Sequence, residues 1–192
     1  VHMRNIRTVY NYAIDMGTVS YETYPFRRYK IKKEKSQSRA LMFEEIRDLR
    51  NRVVEPYQEE YRDVFMLLFY LCGINMVDLA KLKIKKGYAE FSRTKTKVYT
   101  RIKIHPEAQK IIDKYTGEDS LIKRMQQKNY RWYNKRMNEA LQKIGNMQRV
   151  GRGGKKLIDP LYPRLTTYWA RHTWATLMTS IGAPVSVISM GL

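Results

Sequence analysis

A chain of 192 residues, 43% of them hydrophobic, can bury a full core, which excludes global disorder. Lys and Arg number 37 against 18 Asp and Glu, and the resulting charge of +19, scattered over the whole chain, points to a polyanionic partner, nucleic acid before an acidic membrane surface. The longest apolar run, Val64 to Ile74, is too short to cross a bilayer, no signal-peptide pattern is visible, and the single Cys72 leaves no internal disulfide, so a soluble protein of a reducing, cytoplasmic compartment is expected.

In chain order, Val1 to about Met16 reads as a helix with Ile6, Val9, Tyr10, Ala13 and Ile14 on one face and Gly17 at its end. Pro25 and the charged, serine-containing stretch Lys30 to Arg39 read as a linker. A second helix starts near Met42, with acidic residues in its first turn and arginines later, an order that suits the helix dipole. Tyr61 to Leu71 reads as a buried helix, and Met76 to Ile84 keeps helical spacing after Gly73. The texture then alternates. Gly87 to Phe91 and Val98 to Ile104 read as a hairpin around the polar turn "SRTKTK". Pro106 opens another helix, and Tyr130 to Ile144 reads as one more. "GNMQRVGRGGKK" reads as a glycine-rich basic loop. It is not a P-loop, since no G-K-[ST] follows and no strand leads into it. Thr166 or Thr167 can cap a helix running to about Ser180, and "APVSVISMGL" begins a last element. The three histidines lie far apart, so no metal-ligand cluster is expected. The fold class is mainly α with a small antiparallel β-sheet (α+β).

The chemistry concentrates in "YWARHTWAT". Residues three and four apart share a helix face, so Tyr168, Arg171 and His172 project together, while Trp169, Ala170, Trp174, Ala175 and Leu177 can bury the other faces. A guanidinium matches a phosphate with two parallel hydrogen bonds, and a phenol and an imidazole can each donate another. The competing structural reading is a buried arginine satisfied by a carboxylate, with His172 bonded to a backbone carbonyl. Arg93, Lys95, Lys97 and Arg101 cluster at the hairpin turn, where they can meet phosphates in a groove, and Arg149, Arg152, Lys155 and Lys156 of the glycine-rich segment add to a DNA-binding surface.

An apolar helix running into "GINMVDLAKL", then "SRTKTKVYTRIKIHP", then "LTTYWARHTWATLMTSIGAPVSVISMGL" resembles the catalytic domain of the tyrosine recombinases, or phage integrases, in particular those of mobile elements. The resemblance covers nearly the whole chain. Residues 1–37 correspond to the last helix of a core-binding domain plus linker, and 38–192 to a catalytic domain incomplete at its C-terminus. It implies the tyrosine-recombinase catalytic-domain fold and a site-specific recombinase that cleaves and rejoins duplex DNA through a 3′-phosphotyrosyl intermediate. That enzyme works as a homotetramer on DNA, without metal or cofactor. Arg171 matches the arginine of H-x-x-R-H and His172 the histidine after it. Lys95 matches the lysine that protonates the leaving oxygen, and Asp78 a supporting acid that closes the first box.

Three departures follow. The first box usually reads G-x-R, yet Asn75 stands where its arginine belongs, so another basic residue, one from the glycine-rich loop for instance, would have to replace the lost cation. Tyr168 replaces the first histidine of H-x-x-R-H. "ISMGL" aligns just before the family's G-H box and nucleophilic tyrosine, so the chain as it stands is expected to bind DNA and cleave nothing. The segment "LKIKKGYAEF" is also short for the family. The alternative function is a non-catalytic DNA-binding or regulatory protein on an integrase scaffold.

Overall fold

The computed structural model describes residues 2–31, 38–118, 120–126, 128–152 and 155–192, with the side chains of Arg149 and Lys155 outside that description. The chain divides into two units, Val1–Ser38 and Arg39–Leu192. In the first, helix α1 (His2–Asp15) ends as expected at Gly17, whose φ of +70° suits a residue without Cβ. Two short 3-10 turns, Tyr21–Thr23 and Pro25–Arg27, follow; the rings of Tyr10, Tyr21 and Phe26 meet that of Tyr24, and Tyr29 meets Phe26. The expected linker falls largely on residues 32–37, outside the described residues.

The second unit is built around one helix. α2 (Phe43–Asn51) carries Glu44 and Glu45 in its first turn and Arg50 in its last, the polarity that favours each helix end. α3 (Pro56–Tyr70) starts with proline at a position where no N–H is needed, and Gln58 accepts from the Glu55 N–H at 3.1 Å. Its centre is apolar on every side, so Val64, Phe65, Leu67 and Leu68 are wholly buried. The later helices α5 (Pro106–Tyr115), α6 (Tyr130–Leu141) and α7 (Thr167–Ser180) pack around it. α8 (Val185–Gly191) closes the chain and buries only Ile188.

Charge also joins the helices. Asp63 of α3 accepts from Arg62, Lys114 and Tyr115, at 2.7, 2.9 and 2.8 Å. Burial pushes the Asp63 carboxyl up, but these donors outweigh it and hold it below the usual carboxylate range. Burial and the neighbouring Asp63 in turn push the Tyr115 hydroxyl up to about 12, against the opposing pull of Lys114.

Two departures from the sequence reading concern strands. After α4 (Met76–Leu79) the helix stops, and Lys83–Lys85 is strand β1, paired antiparallel with β2 (Tyr88–Ser92), which pairs with β3 (Tyr99–Lys103). The two-residue connection Lys86-Gly87 has φ of +49° and +76°, the conformation that matches the twist of a tight hairpin. Lysine rarely occupies that conformation, so the turn carries no strong sequence mark. Likewise, most of the segment expected as a glycine-rich loop is strand: β4 (Gly145–Val150) pairs antiparallel with β5 (Lys155–Pro160). Glycine and charge masked its weak strand pattern.

Candidate phosphate-binding site

The turn that ends α3 sets the site. Cys72 and Gly73 both take positive φ, and a Cβ on Gly73 would lie 2.5 Å from the Cα of Arg171. No side chain fits there, so α7 crosses directly on this turn. Ala170 and Thr173 of α7 are wholly buried, and the Thr173 hydroxyl accepts from the Leu41 N–H at 3.0 Å. At the helix start, the N–H and hydroxyl of Thr167 donate to Asn138 and Asn134 of α6, at 2.8 and 2.7 Å. A helix fixed on both sides therefore presents Arg171 and His172 half-buried, with Tyr168 beside them.

Arg171 donates through Nη1 to the Gly73 carbonyl at 3.3 Å and through Nη2 to the main-chain oxygen of Leu192. Among the described residues no Asp or Glu side chain pairs with it, so an arginine satisfied by an acidic side chain is not what these contacts show. Burial, and next the positive charge of Arg93, lower its affinity for the proton, opposed by Tyr168 and Asp78. Tyr168 is 49% exposed and meets the His172 ring edge-to-face, with centroids 4.8 Å apart. Burial, then Arg39 and Arg171, push the His172 imidazole below its ordinary pKa, which favours the neutral ring near pH 7. Asn75, Met76, Tyr130, Asn134, Tyr168 and Arg171 line a common cleft of about 350 Å³. Asn75 opens α4 through its main chain, and its side chain makes no capping bond.

Asp78 lies 2% exposed under the β2–β3 turn. Its Oδ1 accepts from both the N–H and the hydroxyl of Thr94, at 2.9 and 2.7 Å. The Arg93 N–H donates to the Val98 carbonyl and the Lys97 N–H to that of Arg93, which closes the turn. Lys95 and Lys97 are consequently held out to solvent, Lys97 at a φ of +60°. Arg93 differs from its neighbours. It is 7% exposed, lies over the Phe91 ring and donates to the Gly191 carbonyl at 2.6 Å.

The remaining basic residues fall elsewhere. Arg101 lies over the Tyr88 ring at 3.9 Å and pairs with Glu90 at 3.3 Å. Lys156 pairs with Glu55 at 2.6 Å, and Arg52 donates to Asn146 at 3.2 Å, so the β4–β5 hairpin is tied to the start of α3. Gly73 follows the far end of that helix, roughly 20 Å away at 1.5 Å per residue. Arg152 is exposed in the turn of this hairpin, and the side chains of Arg149 and Lys155 lie outside the described residues. Sequence reasoning missed the contact of Gly73 with Arg171, the Thr94 latch and the burial of Arg93. In a run of alternating cations nothing marks which one turns inward. Among the described residues no group of three or more His, Cys, Asp or Glu is gathered to hold a metal, and no helix is long and apolar enough to cross a membrane.

No family model and no curated protein matches the chain. Solved structures do. A lambda integrase tetramer bound to a Holliday junction is 18% identical, with a TM-score of 0.58 over 97% of this chain. A Tn1549 transposon integrase in complex with a circular intermediate DNA is 12% identical, with a TM-score of 0.61 over 98% of this chain. A lambda integrase dimer bound to a core site is 18% identical, with a TM-score of 0.58. The chain spans 55%, 69% and 67% of those chains respectively. Its fold is thus the tyrosine-recombinase catalytic-domain fold expected from the sequence.

Proposed function

We propose that the chain is the phosphate-holding part of a site-specific DNA recombinase. The observation that carries this is Arg171, a half-buried guanidinium without an Asp or Glu partner among the described residues, fixed on α7 beside His172 in an integrase fold. The core-binding helix and linker correspond to residues 1–37 and the catalytic domain to 38–192. Duplex DNA is the substrate, a homotetramer assembles on it, and the complete protein works on the nucleoid in the cytoplasm.

Arg171 donates two parallel hydrogen bonds to the non-bridging oxygens of the scissile phosphate. A tyrosine hydroxyl attacks the phosphorus. The new bond joins the tyrosine oxygen to phosphorus, and the bond from phosphorus to the 5′-oxygen breaks. Lys95 gives the leaving 5′-oxygen its proton, and neutral His172 accepts the proton of the attacking hydroxyl. Rejoining reverses these steps with a 5′-hydroxyl of the exchanged strand. Asp78 keeps Lys95 in place by holding Thr94. Positioning and charge do the catalytic work, so no cofactor enters.

The test is covalent capture by the full-length protein on nicked duplexes carrying the ends of its own element. A denaturant-resistant adduct is expected, absent in Arg171→Ala, with DNA affinity largely kept. Equal loss of binding and cleavage would make Arg171 a general binding residue. Lys95→Ala should cleave slowly and recover when sulfur replaces the bridging 5′-oxygen, since a thiolate leaves without a proton. The second reading, a DNA-binding protein without chemistry, is favoured by Asn75 and Tyr168, and binding without any adduct would select it.

A further inference from the structure

Arg93 is a buried arginine that the recombinase mechanism above does not use. At 7% exposure it belongs to a class of side chain that is almost never this buried without a counter-charge. Among the described residues, no carboxylate pairs with it. Its hydrogen-bond partner is the Gly191 carbonyl, and that of Arg171 is the main-chain oxygen of the next residue, Leu192. Consecutive residues lie about 4 Å apart along the chain, so two guanidinia converge on neighbouring main-chain oxygens. Two adjacent cations repel, and an anion between them removes that cost.

We propose that Arg93 supplies the second guanidinium of the phosphate site, in place of the arginine absent at Asn75. The proposal rests on the recombinase reading. Each non-bridging phosphate oxygen accepts more than one hydrogen bond, so Arg93 donates to the same phosphate beside Arg171, displacing the main-chain oxygens of Gly191 and Leu192. A phosphate adds a full opposite charge and matches the planar guanidinium fork, which favours that exchange. The exchange asks the last turn of α8 to shift: that helix buries only Ile188, and its Gly191 rests on the Trp174 ring. The turn that carries Arg93 is fixed independently, by Thr94 on Asp78. A three-residue segment thus turns one cation inward, at Arg93, and one outward, at Lys95. The glycine-rich loop is a poorer source of the missing charge. Lys156 is already paired with Glu55, and the hairpin is tied to the opposite end of α3.

The test uses the full-length protein and the same nicked duplexes, with the scissile phosphate either normal or replaced by an uncharged methylphosphonate. Arg93→Met keeps an unbranched apolar stem for the Phe91 ring and removes the charge. Its adduct rate on the normal phosphate should fall about 100-fold or more, the usual effect of losing one transition-state donor, with DNA affinity kept. On the methylphosphonate it should approach the unmutated rate, because no phosphate charge remains to be neutralised. Arg93→Lys, which keeps a cation without the fork, should fall between and be slower than the unmutated protein on the normal phosphate alone. Unchanged rates of Arg93→Met on the normal phosphate would overturn the proposal. So would equal slowing of both variants on both substrates, the mark of an arginine that only holds α8. An unmutated protein that binds DNA yet forms no adduct would sink the recombinase reading, and Arg93 with it.

Discussion

Two groups of basic side chains lie along α3, and they are built on opposite plans. In the middle of the helix, Arg62 and Lys114 meet Asp63, with Glu59 and Tyr115 closing the network. Past its end, Arg93 and Arg171 donate only to main-chain oxygens among the described residues. The first group joins α3 to α5 and needs nothing further. The second keeps Arg171 half-buried and Arg93 buried with no Asp or Glu side chain paired to either among the described residues, an arrangement that folding alone does not reward. Cations closed by carboxylates hold the fold, and cations left open are available to a ligand.

The comparison can be broken from either side. The largest expected effect is at Gly73. An alanine there would combine a positive φ with a Cβ 2.5 Å from the Arg171 Cα. Strain and overpacking together should cost roughly 3 kcal/mol or more, read as a lower denaturant midpoint and a lost adduct. Next, Asp63→Ala takes the carboxylate from Arg62 and leaves Lys114 with Glu59 alone, and should cost about 2–3 kcal/mol in chemical denaturation. Asp78→Ala removes the acceptor of two Thr94 donors and should cost about 2 kcal/mol, with slower cleavage through the loosened Lys95 turn. By contrast, Arg93→Met should leave stability within about 1 kcal/mol of the unmutated protein, or raise it, because it relieves repulsion. A loss as large as that of Asp63→Ala would erase the distinction between the two groups.

The smallest effects are in pH. The Asp63 carboxyl is held below its ordinary value, so its contribution is present above the unfolded pKa of 3.8 and is lost as pH falls through the folded one. Thermal melts should show this acid loss flattened in Asp63→Asn. The His172 pKa is also lowered, here from 6.5, so the folded state resists its protonation and stability should decline below that pH. Bound DNA phosphate should reverse the sign and raise the His172 pKa, which NMR titration of the imidazole would read.

Much of this was legible in the sequence. The helices followed from apolar spacing, and Pro106 and Gly17 marked real boundaries. The turn "SRTKTK" was placed between its strands because β-branched and aromatic residues alternate on both sides. β1 was not legible, because Lys86 takes a conformation that lysine seldom adopts and three residues are too few to show a period. The β4–β5 pairing was hidden for a related reason: its strands expose Met147, Val150 and Leu157, so no buried face writes an alternation into the sequence. On α7 the spacing put Tyr168, Arg171 and His172 together. Local pattern could not show that Arg93 arrives beside them, since that approach depends on where distant segments meet.

The Asp78–Thr94 latch also has a consequence for how the site comes into being. It closes a loop of 16 residues, whereas the contact of Gly73 with Arg171 spans 98. Closure entropy grows with the logarithm of loop length, so the longer contact costs roughly 1.5 kcal/mol more to form. The Lys95 scaffold can therefore assemble from local sequence while α7 is still unmade, and a nascent chain carries the hairpin half of the site before its Arg171 half exists.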